Sequence, residues 1–195
     1  MKKYIFDIGG VLLNFNINKL TDSIAKNKRC EPTNIRNLFK MDLIYKVETG
    51  KMKCSDFYSN HIKSNIPEMS YEEWIEAWMD NYSINLTGMK LLEKLKKKGN
   101  KVYILSNLAE YNKIAIEKKF PDFFSLCERN FFSYELGLFK PDINIFNEVS
   151  RIINEKPENC VFLDDMEENV SGARNAGMIG IHFSNDNLDS ILNIS

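Results

Sequence analysis

Histidine is almost missing from this 195-residue chain, which has only His61 and His182. Both lie far in sequence from the motifs described below and read as structural or solvent-facing, not as metal ligands. Cysteine is also sparse. Cys30, Cys54, Cys127 and Cys160 are scattered with no Cys-x-x-Cys pair, the pattern of reduced cytosolic thiols rather than of a disulfide framework. Neither sign of charge dominates, with 26 Lys and Arg against 27 Asp and Glu and a net charge of −1. No basic field therefore points to nucleic acid or an anionic membrane. Long apolar runs are absent too, and no stretch approaches the ~18 residues that crossing a bilayer requires. Lys2-Lys3 before an apolar run imitates a signal peptide, but Asp7 interrupts the run and no small-residue cleavage site follows. Repeats and low-complexity tracts are not visible. The expectation is a soluble, cytoplasmic protein whose partner is neither nucleic acid nor membrane.

What is present suits an ordinary globular domain, or one with a modest insertion: 44% hydrophobic and 27% charged residues. Lys3-Tyr4-Ile5-Phe6-Asp7-Ile8-Gly9-Gly10-Val11 reads as a buried strand that delivers Asp7 to a sheet edge before a tight turn. From Asn18 to about Asn85 no convincing strand appears. Leu20 and Ile24 have helical spacing, Thr33 and Ser55 are candidate N-caps, and Ser70 with Glu73 makes a capping box ahead of Trp74, Ile75, Trp78, Met79 and Tyr82. Beyond Leu86 helix and strand alternate. The strands are expected at Val102–Leu105, Asn130–Tyr134, Val161–Leu163 and Gly180–Phe183, which implies a parallel sheet with right-handed crossovers. The helical block is thus an insertion, giving an α/β core of residues 1–15 and 86–195 and a helical cap at 16–85.

Four strand ends carry polar groups: Asp7, Ser106-Asn107, Lys140 at a helix start, and Asp164-Asp165. Singly each has a plainer reading. Ser106 could only cap a helix, Lys140-Pro141-Asp142 could only open one, and Asp164-Asp165 could be an acidic first turn. Together they form a coherent set, because ligands of open α/β sheets sit outside the carboxyl ends of the strands. A carboxylate can attack phosphorus covalently. Mg²⁺ takes a few carboxylates plus substrate phosphate, which Asp7 and Asp165 could supply. Lys140 adds a fixed positive charge, and Ser106 with the Asn107 backbone N–H, entering a helix, suits phosphate oxygens.

The run Phe6-Asp7-Ile8-Gly9-Gly10-Val11, then Ser106-Asn107, Lys140-Pro141-Asp142 and Leu163-Asp164-Asp165 through Asn169, resembles the haloacid dehalogenase superfamily of phosphohydrolases, over essentially the whole chain. The resemblance is narrower to the bacterial glucose-1-phosphate phosphatase branch and the phosphatase domain of soluble epoxide hydrolase, through Glu48-Thr49-Gly50 and Leu136–Pro141. It implies a Rossmann-like core with a type 1 helical cap. It also implies Mg²⁺-dependent hydrolysis of a small phosphorylated metabolite, with a sugar 1-phosphate as one candidate, through an aspartyl-phosphate on Asp7. By the same resemblance the Gly9 carbonyl joins Asp7 and Asp165 on the metal. Asp164 and Asn169 stand behind them, Asp164 orienting Lys140 or a metal-bound water. Glu48 and Lys51 are candidate substrate-facing residues of the cap, while Trp74, Trp78 and Tyr82 read mainly as cap core. One departure stands out. Most family phosphatases place an acid–base aspartate two residues after the nucleophile, where this chain has Gly9. A phosphate-binding protein without turnover is therefore an alternative, with a 2-haloacid dehalogenase a more distant one. The chain is expected as a monomer or homodimer.

Overall fold

The computed structural model describes residues 2–193. Strand β1 (Lys3–Phe6) is followed by a tight loop and a short β2 (Leu13–Asn14). Helices α1 (Ile17–Lys28), α2 (Pro32–Arg36), α3 (Met41–Glu48), α4 (Cys54–Phe57), α5 (Lys63–Asn65) and α6 (Tyr71–Asn81) come next, and β3 (Ser83–Ile84) ends this segment. The remainder is α7 (Leu86–Lys97), β4 (Lys101–Ser106), α8 (Glu110–Lys119), β5 (Arg129–Phe132), α9 (Ser133–Leu136), α10 (Ile143–Ile152), β6 (Cys160–Asp164), α11 (Glu167–Asn175), β7 (Ile179–His182) and α12 (Leu188–Leu192).

Five strands form one parallel sheet in the order β5-β4-β1-β6-β7. Because β1 lies in the middle with β4 and β6 on either side, the three carboxyl ends meet at one place. Both faces of the sheet are covered. Tyr4, Phe6, Val102, Ile104, Val161 and Leu163 face one apolar cluster, and Ile5, Tyr103, Leu105, Phe131 and Phe162 face the other. The alternation is the strand period of two, and burial on both faces explains why these strands read as unbroken apolar runs.

Several expectations from the sequence need correction. Thr33 and Ser55 lie inside α2 and α4, whose N-caps are Glu31 and Lys53, so neither hydroxyl caps a helix. The β5 strand stops at Phe132, and Tyr134 belongs to the one-turn helix α9. A strand does occur before Asn85: β3 pairs antiparallel with β2, joining the points where the chain leaves and re-enters the sheet domain. Two residues are too few to show an alternating pattern, which hid this pair from the sequence. The capping box of Ser70 and Glu73 is present at the start of α6.

The helical insert seats on α8 through aromatic packing. Tyr111 lies 5.5 Å from Trp74, 5.5 Å from Trp78 and 5.7 Å from Phe57 between ring centroids. Trp74 is fully buried, as a core residue should be. All four cysteines are free. Among the described residues no helix is long and apolar enough to cross a membrane.

Candidate active site

The loop after β1 is wound around one carbonyl. Ile8 O accepts from the N–H groups of Val11, Leu12 and Leu13 at 3.3, 2.9 and 2.8 Å, while Gly10 N donates to Leu13 O. Gly10 sits at φ +70, and a Cβ there would fall 2.0 Å from Asp165 Oδ2. Only glycine satisfies both demands, and its bareness lets the Asp165 carboxylate lie against the loop that carries Asp7. Asn85 then fixes that loop to the insert junction, its Nδ2 donating to Gly10 O at 3.1 Å while its Oδ1 caps α7.

Lys140 is the centre of the site. Its ammonium lies 2.8 Å from Asp7 Oδ1 and 2.6 Å from Asp164 Oδ2, with its side chain 1% exposed. Behind it is the Phe162 ring face, 5.2 Å away. Burial alone would pull the ammonium down, but Asp7 and Asp164 outweigh it and hold Lys140 above its ordinary value. The backbone of Lys140 is clamped as well: its N–H donates to Asn107 Oδ1 at 2.9 Å, and Asn107 Nδ2 donates to its carbonyl at 3.0 Å. Asp142 caps α10 immediately after, accepting from Asn144 N.

The acidic pair is divided by its position at a strand end. Asp164 is completely buried and its oxygens are fully engaged. Oδ1 accepts from Met166 N and Asn169 Nδ2, and Oδ2 accepts from Asn169 Nδ2 and Lys140. Asp165, one residue on, is exposed and points to the opening. Burial raises its carboxyl, with the Asp164 charge adding to the effect. Asp7 is raised too, to about 6: burial pushes it up, Lys140 opposes, and Asp164 adds to the burial effect. Its Oδ1 lies near the Lys140 ammonium yet receives no well-aligned hydrogen bond. One oxygen from each of Asp7, Asp164 and Asp165 lies within 4.8 Å of the others.

Asp7, Lys140 and Asp165 form the floor of a cavity of about 370 Å³ that also touches Ser106, Asn107, Gly9, Asn169 and Glu48, with Asp164 buried behind it. The structure thus brings together Asp7, Gly9, Ser106, Asn107, Lys140, Asp164, Asp165, Asn169 and Glu48. Lys51 is not among them. The chain turns away at Gly50 (φ +69), and Lys51 is exposed, its ammonium 3.2 Å from Tyr45 Oη and over the Tyr45 ring. Ser106 and Asn107 also differ from expectation. No helix begins there, because α8 starts only at Glu110, with Ala109 as its N-cap. Ser106 closes β4 and lines the cavity beside Asp7, and Asn107 contributes its side chain to Lys140.

Wall residues not recognised from sequence include Phe15, Met41, Ile44, Leu108, Asn112, Phe139, Met166 and Glu168. A signal did exist for some. Phe15, Met41 and Met166 are single large apolar residues set between polar neighbours (Asn14 and Asn16, Lys40 and Asp42, Asp165 and Glu167). Trp78 and Tyr82 reach the cavity as well, so the α6 aromatic stripe is part core and part wall. Phe15 also explains the space at Gly9, since a Cβ there would come 2.9 Å from its ring.

Residues 1–177 match the family description "haloacid dehalogenase-like hydrolase". Among curated proteins, the chain is 27% identical to the sesquiterpene phosphatase astK of Aspergillus oryzae, over 94% of this chain and 90% of that one. It is 24% identical to the D-ribitol-5-phosphate phosphatase of Bacteroides thetaiotaomicron, over 91% and 89%. Among solved structures, a haloacid dehalogenase family enzyme of Bacteroides thetaiotaomicron, in complex with magnesium and inorganic phosphate, superimposes with a TM-score of 0.81 at 26% identity, covering 95% of this chain and 96% of that one. Sheet order, strand-end chemistry and these similarities agree: the chain belongs to the haloacid dehalogenase-like hydrolases and is a phosphatase of that family.

Proposed function

We propose that this chain hydrolyses small phosphomonoesters through a covalent aspartyl-phosphate on Asp7, with Mg²⁺ held by Asp7, the Gly9 carbonyl and Asp165. The observation that carries the reading is the buried Lys140 ammonium, wedged between Asp7 and Asp164 beneath an open cavity. Three carboxylates around one ammonium leave a formal charge of −2, which would repel a phosphate dianion. A divalent cation answers that charge. The donor set favours Asp7 and Asp165 as its ligands, because Asp164 is already filled by Lys140, Asn169 and Met166 N, whereas Asp7 Oδ1 lacks an aligned donor. When bound, the ion would neutralise charge on the phosphate and help to fix its orientation.

In the first step an Asp7 carboxylate oxygen bonds to phosphorus as the bond from phosphorus to the ester oxygen breaks. Lys140, the Ser106 hydroxyl and the Asn107 N–H hold the phosphate oxygens while charge redistributes. The leaving oxygen takes its proton from solvent water. A water oxygen then attacks phosphorus, the Asp7–phosphorus bond breaks to return the carboxylate, the water's proton passes to solvent, and inorganic phosphate departs. Gly9 supplies no acid for the leaving oxygen, so among equally well bound esters the chemical step follows leaving-group acidity, with aryl and anomeric esters ahead of simple alkyl esters. The helices of residues 16–85 act as the cap, with Glu48 facing the leaving group.

Hydrolysis of p-nitrophenyl phosphate that needs Mg²⁺ and stops with EDTA is the expected result. Asp7→Asn should lower kcat by about 10⁴-fold or more, as removal of a covalent nucleophile does. A parent-like rate in that variant would refute the role of Asp7. Gly9 also motivates a second reading, phosphate-ligand binding without turnover, which tight binding and no hydrolysis across an ester panel would support. Halide release from 2-haloacids would instead indicate a dehalogenase.

A further inference from the structure

The catalytic floor of the cavity is polar, and the walls above it are apolar. They are made by Phe15, Met41, Ile44, Trp78, Phe139 and Met166. Three of these stand at the rim in water: Met41 is 70% exposed, Met166 50% and Phe15 48%. Large apolar side chains gathered around one opening mark a surface that an apolar ligand covers. They come from separate segments (the loop after β2, the start of α3 and the loop after β6), so no single amphipathic face accounts for them. Phe139 is backed edge-on by Tyr45, at 5.4 Å between centroids.

Polar provision on the walls is thin. Above the floor the lining offers the Glu48 and Glu168 carboxyls, the Asn112 amide, the Tyr82 hydroxyl and the indole N–H of Trp78, which is buried without a partner. These five groups are spread among a larger set of apolar side chains, whereas a sugar or polyol brings a hydroxyl on nearly every carbon. Each one left unpaired would cost its desolvation.

We infer that the substrate is the phosphomonoester of an apolar alcohol or phenol, its hydrocarbon part lying between Phe15, Met41, Ile44, Phe139 and Met166 while the phosphate rests on the floor. This rests on the phosphatase reading above and disfavours a sugar 1-phosphate. A cavity of about 370 Å³ is in the range of small-molecule sites and holds a medium-length chain or a ring system.

Pentyl phosphate and ribitol 5-phosphate test this directly, because they share chain length and a primary ester, and differ in hydroxyls. Pentyl phosphate should be favoured by at least about tenfold in kcat/KM, the scale on which an apolar pocket discriminates. Along butyl to octyl phosphate, kcat/KM should rise about fourfold per methylene until the chain outgrows the cavity. A faster ribitol ester or a flat series overturns the inference. In Met41→Gln and Met166→Gln, both at exposed positions that tolerate polar side chains, octyl phosphate should lose more than butyl phosphate does. Equal losses count against these walls. p-Nitrophenyl phosphate with Mg²⁺ reports the chemical step separately. If it is not hydrolysed, the catalytic reading fails, and calorimetric titration of the alkyl series into Asp7→Asn still reads the walls. Affinity rising with chain length supports the inference there, and constant affinity overturns it.

Discussion

Replacing Glu48 by glutamine probes the charge balance of the cavity without any substrate. Glu48 closes α3 on the cavity wall, where burial pushes its carboxyl up to about 7, the Asp7 charge adds to that, and Lys140 opposes it. A carboxyl with a higher pKa in the folded chain than in the unfolded one holds its proton more tightly when folded. Its contribution to stability is complete below the unfolded value of 4.5 and is lost as pH rises through about 7. At about 1.36 kcal/mol per pKa unit, the limiting loss is about 3 kcal/mol. Glu48 keeps partial contact with solvent and its cavity opens outward, so screening reduces this to about 1–2 kcal/mol. The glutamine never ionises and escapes the loss. In denaturant unfolding at pH 8 with EDTA, Glu48→Gln should therefore be more stable than the parent by about 1–2 kcal/mol. Near pH 4.5 the two should agree within a few tenths of a kcal/mol, because both side chains are then largely neutral. A difference of the same size at both pH values, or a variant less stable at pH 8, refutes the reasoning.

Other perturbations separate the floor from its supports. Lys140→Met keeps most of the stem but leaves Asp7 facing Asp164 without the ammonium. Activity should fall by at least about 10²–10³-fold and stability at pH 7 by about 3–5 kcal/mol. Circular dichroism melts should show that deficit shrinking at pH 5 as a carboxyl takes up a proton, and a pH-independent deficit would count against charge as the cause. Asn107→Ala removes both hydrogen bonds that clamp the Lys140 backbone, for a loss of about 2 kcal/mol and a lower kcat at nearly constant KM. An unchanged kcat would show that Lys140 holds its place without the clamp. Gly9→Asp restores the missing acid but meets the Phe15 ring, so the single variant should gain little on alkyl phosphates. Gly9→Asp with Phe15→Ala should gain up to about 10²-fold on short alkyl esters, and no gain in initial-rate assays would mean the acid is not what limits them.

The floor could be read from sequence because local rules determine it. A strand buried on both faces shows as an apolar run, and the residue after it falls at the carboxyl edge, so Asp7, Ser106 and Asp164 could be placed from Phe6, Leu105 and Leu163. The split between Asp164 and Asp165 followed from alternation at a strand end. Interactions that depend on three-dimensional closure could not be read this way. The Asn107 side chain reaches Lys140 thirty-three residues away, and nothing in its own neighbourhood reveals that its amide rather than its N–H is engaged. Lys51 looked like a neighbour of Glu48, but a single left-handed glycine between them sends its side chain to Tyr45 instead.

The walls follow a different logic, which is why the class of reaction is legible and the leaving group is not. The floor depends on strand order, and any chain with β1 between β4 and β6 must gather those three ends. The walls depend on where the helical insert comes to rest. That position is set by Tyr111 packing against Phe57, Trp74 and Trp78, and by the β2–β3 ladder that ties its two connections together. Met41 and Ile44 share a cavity with Asp7 because α3 is held against it. A shift of the insert by one helical turn would present other side chains to the same catalytic floor. Mutations of Phe57, Trp74 or Tyr111, which lie outside the cavity lining, should therefore alter the order of preferred esters more than the rate on small activated ones. That separation of effects follows from a floor set by strand order and an apolar roof set by the packing of the insert.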